Sequence, residues 1–153
     1  LDLERGEIER DVTAVIETLS AINRSLLFSQ LQVGYRTRDE VALFVVNARS
    51  AKSSFVTRAG EQVDPLDLAL LMKILPRIVG GSNSIRRTLL GLLGHAHDGR
   101  PLNADDEPTD LLRAWERDGR PAGCVTARFP RTAARLCLMW ERLNAEGYTS
   151  FWL

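Results

Sequence analysis

Gly34-Tyr35-Arg36-Thr37-Arg38-Asp39-Glu40 is the stretch from which the rest of the chain is read, because an irregular segment turns into a helix there. Thr37 and Glu40 have the T-x-x-E spacing of a capping box. In that geometry the Thr37 hydroxyl accepts from the Glu40 N–H, and the Glu40 carboxylate reaches back to the Thr37 N–H. With Thr37 as N-cap, Arg38 is the first helical residue. A cation there opposes the helix dipole by a few tenths of a kcal/mol. Arg36 and Arg38 beside free helix N–H groups make a corner suited to an anion. The same two residues also read as ordinary solvated surface arginines, the default for this side chain.

On the N-terminal side of this corner, residues 1–6 are polar and read as frayed. Ile8, Val12, Val15, Ile16, Leu19, Ile22 and Leu26 then recur every three or four residues, which predicts an amphipathic helix from about Glu7 to Phe28. Ser29–Gly34 is a connector in which Gly34 can take a left-handed turn. On the C-terminal side, Val41, Phe44, Val45 and Ala48 predict a helix from Arg38 to about Ala51. Lys52–Val63 reads as a loop or short hairpin turning at Gly60, with Phe55 and Val56 to pin it down. Asp64-Pro65 is a cap followed by a first-turn proline, and it opens a third helix. Pro76 lacks an N–H and predicts a kink or stop near Leu75. Gly80-Gly81 ends that segment. Ser82 or Ser84 caps a fourth helix with Ile85, Leu89, Leu90, Leu92 and Leu93 on a broad apolar face, and Gly91 and Gly94 permit close packing.

Past Gly94 the character changes. Residues 95–107 read as a linker, carrying His95, His97 and Asp98 and then Asp105-Asp106-Glu107. A fifth helix opens at Pro108 with Leu111, Leu112 and Trp115 as its stripe. Cys124-Val125-Thr126 suggests a short strand. Pro130 opens a last helix with Ala133, Leu136, Cys137, Trp140 and Leu143 inward, stopped by Gly147. Tyr148–Leu153 holds three aromatics and reads as a terminal strand or anchored tail. The class is therefore mainly α: a small bundle over residues 1–94, a linker, and a second small helical lobe over residues 108–153.

Composition narrows the function classes. The chain has 153 residues, 44% of them apolar, enough for one domain with a core or two small lobes. Twenty basic residues balance twenty acidic ones, so no global field draws it to nucleic acid or an anionic membrane. All but Lys52 and Lys73 of the basic residues are arginines. Two isolated cysteines, Cys124 and Cys137, are no disulfide framework and fit a reducing, cytoplasmic setting. No apolar run approaches the roughly 18 residues of a membrane span, and no signal peptide is visible. The chain opens on Leu1 rather than Met, as a fragment or processed product would.

Catalytic motifs are few. There is no G-x-x-x-x-G-K-[ST] phosphate loop, no G-x-G-x-x-G after a strand and no G-x-S-x-G elbow. His95-x-His97-Asp98 is the one metal-like cluster, against three or four ligands for a usual zinc site; no metal is expected there. Asp105 and Asp106 lack an apolar setting that would raise a pKa for acid–base work. Arg131 and Arg135 are one helical turn apart, with Arg128 just before. They are candidates for DNA phosphate contacts, or a solvated helix face. Trp115, Trp140 and Trp152 read as core rather than a stacking platform.

Several stretches together resemble one family. Gln32-Val33-Gly34-Tyr35-Arg36-Thr37-Arg38-Asp39-Glu40-Val41 resembles the region that follows the core in AAA+ NTPases of the McrB type, the motor subunits of methylcytosine-directed restriction systems. Asp67–Ile78, with Leu75-Pro76-Arg77, looks like that family's "LPR" helix. Phe129-Pro130-Arg131-Thr132-Ala133 and then Gly147–Trp152 look like the closing pattern of its bacterial members. The likeness runs over roughly residues 20–153.

The resemblance implies that this chain is the helical lid and C-terminal part of such a protein. It implies a sensor 2 arginine at the start of a lid helix, which Arg38 matches best and Arg36 second, reading nucleotide phosphates. Lid rotation would then couple nucleotide state to subunit packing in a ring. The chain departs from the family in lacking a phosphate loop and an acidic strand end for Mg²⁺. The resemblance therefore implies that the core lies upstream, that ATP or GTP with Mg²⁺ is bound by the full-length protein, and that the lid alone is inactive, with no catalytic residue of its own. The partners implied are the upstream core, neighbouring subunits, and indirectly a nuclease subunit and DNA. Two other expectations stand beside it. One is a stand-alone helical interaction or DNA-binding module; the other is an enzyme built on the histidine loop.

Overall fold

The computed structural model describes residues 2–51, 55–100, 109–120 and 124–152. Its spine is helix α1, Asp2–Leu26, which starts earlier than the periodicity predicts. Polar i,i+4 links carry the additional turn: Arg5 pairs with Glu9 at 3.5 Å, and Arg10 Nε donates to the Gly6 carbonyl at 3.3 Å. Val15, Leu19, Ile22 and Leu26 are buried as the spacing requires, while Ile8 and Ile16 stay exposed.

A 3-10 turn over Leu27–Ser29 follows, closed by Gln30 at φ 56°. The left-handed turn therefore falls at Gln30, whose N–H bonds the Leu27 carbonyl, and not at Gly34. Gly34 is extended, at φ −92° and ψ −173°. Asn23 of α1 fixes the connector by a two-way bond: its Oδ1 accepts the Val33 N–H at 2.8 Å and its Nδ2 donates to the Val33 carbonyl at 3.0 Å. Helix α2, Tyr35–Ser50, then runs back along α1, burying Val41, Val45 and Ala48. At its far end Arg49 pairs with Asp11 at 2.8 Å.

Residues 55–63 form the anticipated hairpin, with one antiparallel bridge between Val56 and Gln62 and Gly60 at φ 84°. Phe55 and Phe44 pack in a T-shaped pair, 5.8 Å between centroids. Helix α3, Pro65–Ala69, is capped by Asp64, whose Oδ1 accepts the Leu66 N–H at 2.9 Å. It widens into a π turn, Leu70–Ile74, and tightens into a 3-10 turn, Leu75–Arg77. Pro76 accounts for the change of pitch. It has no N–H for the Met72 carbonyl and its ring would strike that carbonyl in an α-helix.

Strand β1, Val79–Gly80, pairs antiparallel with β2, Thr149–Ser150, in the register Val79–Ser150 and Gly80–Thr149. This is the terminal strand read from the sequence. Gly81 sits so close to the Gly147 carbonyl that any Cβ there would collide with it. Helix α4, Asn83–Asp98, is capped by the Ser82 Oγ, which accepts the Ile85 N–H at 3.3 Å. Gly91 lets α4 close on α1, because a Cβ would run into the Ser25 side chain. Thr88 locks the contact by donating to the Ser25 carbonyl at 2.9 Å.

Helix α5 spans Thr109–Arg117 and helix α6 Pro130–Glu146. Trp115 Nε1 donates to Glu141 Oε1 at 2.6 Å and ties the two. The strand suggested at Cys124-Val125-Thr126 does not form: Cys124 starts a turn closed by the Ala127 N–H. The chain is held there differently. The N–H groups of Arg128 and Phe129 bond the His97 and Ala96 carbonyls, both at 2.9 Å, and satisfy the open end of α4.

The fold is mainly α, with six α-helices and one small sheet among the described residues. His95–Asp98 complete α4 rather than begin a linker. Leu89 and Leu93 of α4, Trp115 of α5 and Leu136 and Trp140 of α6 belong to the same buried core as Leu19 and Val45. The α4 apolar face is broad enough to pack against both α1 and α6. Residues 101–107 and Pro108 lie outside the described residues. Among the described residues, no helix is long and apolar enough to cross a membrane.

Candidate functional site

The corner at the start of α2 is built without a capping box. Gly34 is the N-cap and no side chain caps the helix. Thr37, placed at the third helical position, turns its Oγ1 to Arg77 and accepts from Nη2 at 2.9 Å. Glu40 lies between Arg36, at 3.6 Å, and Lys73, at 3.9 Å. The helix begins at Tyr35, just after the Val33 that Asn23 fixes, and the Arg38 N–H already bonds the Gly34 carbonyl at 3.1 Å. No acidic residue occupies that turn. The result is an open, electropositive helix end with Arg36, Arg38 and Arg77 around it.

Its two leading arginines are placed differently. Arg38 lies over the Tyr35 ring, 4.7 Å from its centroid, and bonds Asp39 Oδ1 through Nη2 at 3.0 Å. Its side chain keeps 36% exposure. Arg36 keeps 95% and points outward. Tyr35 beside it is 77% exposed. The geometry thus presents Arg36, beside Glu40, and Tyr35 outward, and holds Arg38 against the Tyr35 ring and Asp39.

The segments around this corner are cross-linked. Arg77 and Lys73 reach α2 from the π and 3-10 turns, as above. Asp67, almost fully buried on α3, accepts the Arg131 N–H through Oδ2 and the Thr132 N–H through Oδ1, both at 2.9 Å. Thr132 Oγ1 donates back to the Asp67 carbonyl at 3.1 Å. Phe129 cannot cap α6, so a carboxylate from a distant helix does. Sheet β1–β2 adds the third link.

A cavity of about 140 Å³ lies under the π turn. Leu70, Ile74, Leu75 and Leu92 contribute its apolar lining, and His95, Arg128 and Glu17 its titratable groups. His95 is 7% exposed and its Nε2 makes no hydrogen bond. Burial holds this imidazole below its ordinary 6.5. The Gly99 and Ala21 backbones pull the other way, and the charges of Arg128 and Arg24 add to the lowering.

A family model described as a domain of unknown function, DUF8727, matches residues 2–148. The chain belongs to the DUF8727 family. No curated protein and no solved structure matches it.

In this DUF8727 chain the other sequence candidates fare unequally. Arg135 sits 5.0 Å over the Phe151 ring and its Nη1 donates to the Phe151 carbonyl at 3.5 Å, so it anchors the tail. Arg131 is exposed, and its backbone N–H serves Asp67. The two therefore do not form a paired phosphate-binding face. His95 is buried in the cavity, and no group of three or more His, Cys, Asp or Glu side chains is gathered among the described residues. Asp105 and Asp106 lie outside the described residues. Cys124 and Cys137 meet in the core as free thiols. Hydrogen bonding to Cys124 and burial push the Cys137 thiol far up, so it stays protonated. Neither Asp67 nor the cavity was visible from spacing, since both depend on which helices meet.

Proposed function

We infer that this DUF8727 chain is the helical lid and C-terminal part of a McrB-like AAA+ NTPase, which couples nucleotide state to subunit movement in DNA restriction. The observation that carries the reading is the physical union of three separate family-like stretches. Thr37 bonds Arg77, Asp67 caps the helix that opens at Pro130, and Val79–Gly80, directly after the second stretch, pairs with Thr149–Ser150. Segments tens of residues apart thus build one support behind the electropositive corner. That arrangement suits a lid that must turn as a unit.

In this reading Arg36 is the phosphate-reading arginine and Arg38 positions Tyr35. A guanidinium extended from an uncapped helix end can bind two phosphate oxygens at once. The upstream core would hold ATP or GTP with Mg²⁺ and carry the hydrolytic chemistry. The Thr37–Arg77 bond would pass a change at the nucleotide to the π turn and so to α6. Neighbouring subunits of a ring, and through them a nuclease subunit and DNA, are the implied partners.

The test is the natural reading frame upstream of Leu1. A phosphate loop there, followed by a strand ending in acidic residues, supports the reading; a start codon directly before Leu1 refutes it. In the full-length product Arg36→Ala should lower NTP turnover on the order of a hundredfold, as losing one phosphate-stabilising donor does. Arg38→Ala should cost less. Unchanged turnover in Arg36→Ala overturns the assignment of Arg36.

A further inference from the structure

We propose that the cavity under the π turn is a binding site for a free apolar α-amino acid of leucine size. Three observations carry this. The first is its volume. At about 140 Å³ it is close to the roughly 150 Å³ of an apolar cavity that admits benzene, enough for a branched aliphatic side chain. Its lining by Leu70, Ile74, Leu75 and Leu92 suits such a chain.

The second is charge. Arg128 and Glu17 both line the cavity and both are exposed, one group of each sign. They are not an ion pair, and among the described residues neither has an opposite charge within 4.0 Å; Arg128 instead lies over the Phe129 ring at 5.1 Å. Gly99 fixes its place, since a Cβ there would strike the Arg128 guanidinium. A zwitterion satisfies both, its carboxylate on Arg128 and its ammonium on Glu17. A plain fatty acid would leave Glu17 repelling it, and an amine would leave Arg128 unmatched.

The third is His95, nine-tenths buried and lining the same cavity, with a ring nitrogen that no protein group satisfies. A buried polar atom of this kind calls for a partner, and a ligand carboxylate on the Arg128 side supplies one. The π turn contributes Leu70 and Ile74 to the wall. A widened turn opens space that a regular helix would fill, and such turns recur at ligand sites. The ligand would thereby touch α1, α4, the π turn and the start of α6 together, and brace them.

The experiment is calorimetric titration of this chain with L-leucine, 4-methylpentanoate and 3-methylbutylamine, with a thermal melt in each ligand. Leucine should bind at least tenfold more tightly than either partial analogue and raise the melting temperature. Arg128→Gln and Glu17→Gln change exposed side chains and should fold as the parent does. Each should weaken leucine binding about tenfold. Equal binding of all three probes, or of leucine by parent and both variants, overturns the proposal and leaves an apolar void. No binding of leucine at millimolar concentration overturns it as well.

Discussion

Replacing Asp67 by alanine tests the cross-link that holds α6 to α3. The side chain is 2% exposed and its two oxygens each accept one backbone N–H, from Arg131 and Thr132, at 2.9 Å. Alanine removes both acceptors and leaves two N–H groups at a helix start without partners. A hydrogen bond to a charged group contributes about 1.5–3 kcal/mol. The carboxylate also complements the α6 dipole, by up to about 2 kcal/mol in a partly buried setting. Water entering the gap recovers part of this, so the expected loss is about 3–5 kcal/mol. For a chain of this length 1 kcal/mol shifts the melting temperature by about 2–4 °C. Asp67→Ala should therefore melt roughly 6–20 °C below the parent, followed by circular dichroism at 222 nm. Asp67→Asn keeps one carbonyl acceptor and should fall between the two. A drop of less than about 2 °C for alanine would mean that the α6 N-terminus is held by something else, and the reasoning would fail.

Gly91→Ala should destabilise by about 1–2 kcal/mol despite alanine's better helix propensity, because its methyl meets the Ser25 side chain. In a Ser25→Gly background the same substitution should cost measurably less, and additive costs in a denaturant-based double-mutant cycle would refute the contact. Trp115→Ala should cost about 3–5 kcal/mol and release α5, since the ring is almost wholly buried. Trp115→Phe should cost about 1.5 kcal/mol, the low end for a bond to a charged acceptor, because Glu141 keeps a third of its side chain in water. Stability should fall with acid through His95. Burial lowers its folded-state pKa beneath 6.5, so the unfolded chain takes up the proton first. That contribution is complete above about pH 6.5 and is lost as the pH drops below it. His95→Gln should flatten that part of the urea-midpoint profile, and an unchanged slope would show the histidine not to be its source.

The helices were legible because their signals are local. Leu19, Ile22 and Leu26, or Ala133, Leu136 and Trp140, announce a buried face by spacing alone, and Asp64, Ser82 and Gly147 mark ends by their own side-chain or backbone chemistry. Pro76 announced a break, though not that the pitch would widen before it tightened. The failures came where a tertiary partner outbid a local one. Thr37 has the sequence context of an N-cap, but Arg77 takes its hydroxyl. Gly34 has the freedom for a left-handed turn, yet Gln30 makes the turn. His95 looks like a loop residue beside Gly99 and Arg100, yet the N–H groups of Arg128 and Phe129 complete the end of its helix. Arg36 and Arg38 were found as a pair, but how each is held depends on Glu40, Asp39 and the Tyr35 ring. The cavity and the buried carboxylate of Asp67 leave no spacing signal at all, because each belongs to an encounter between distant helices.

The pairing of Val79–Gly80 with Thr149–Ser150 also bears on the order of events during synthesis. Helices α1, α2 and α4 leave the ribosome well before β2 and can gather around Leu19, Val45 and Leu89 while the chain is still growing. Asp67 meanwhile waits with its acceptors open for a helix not yet translated, and β1 waits with its edge unpaired. Arg131 and Thr132 supply the first partner and Thr149–Ser150 the second. The fold is fastened like a clasp by its later segments, and a ribosome stalled short of Thr149 would display the same helices around an unfinished seam.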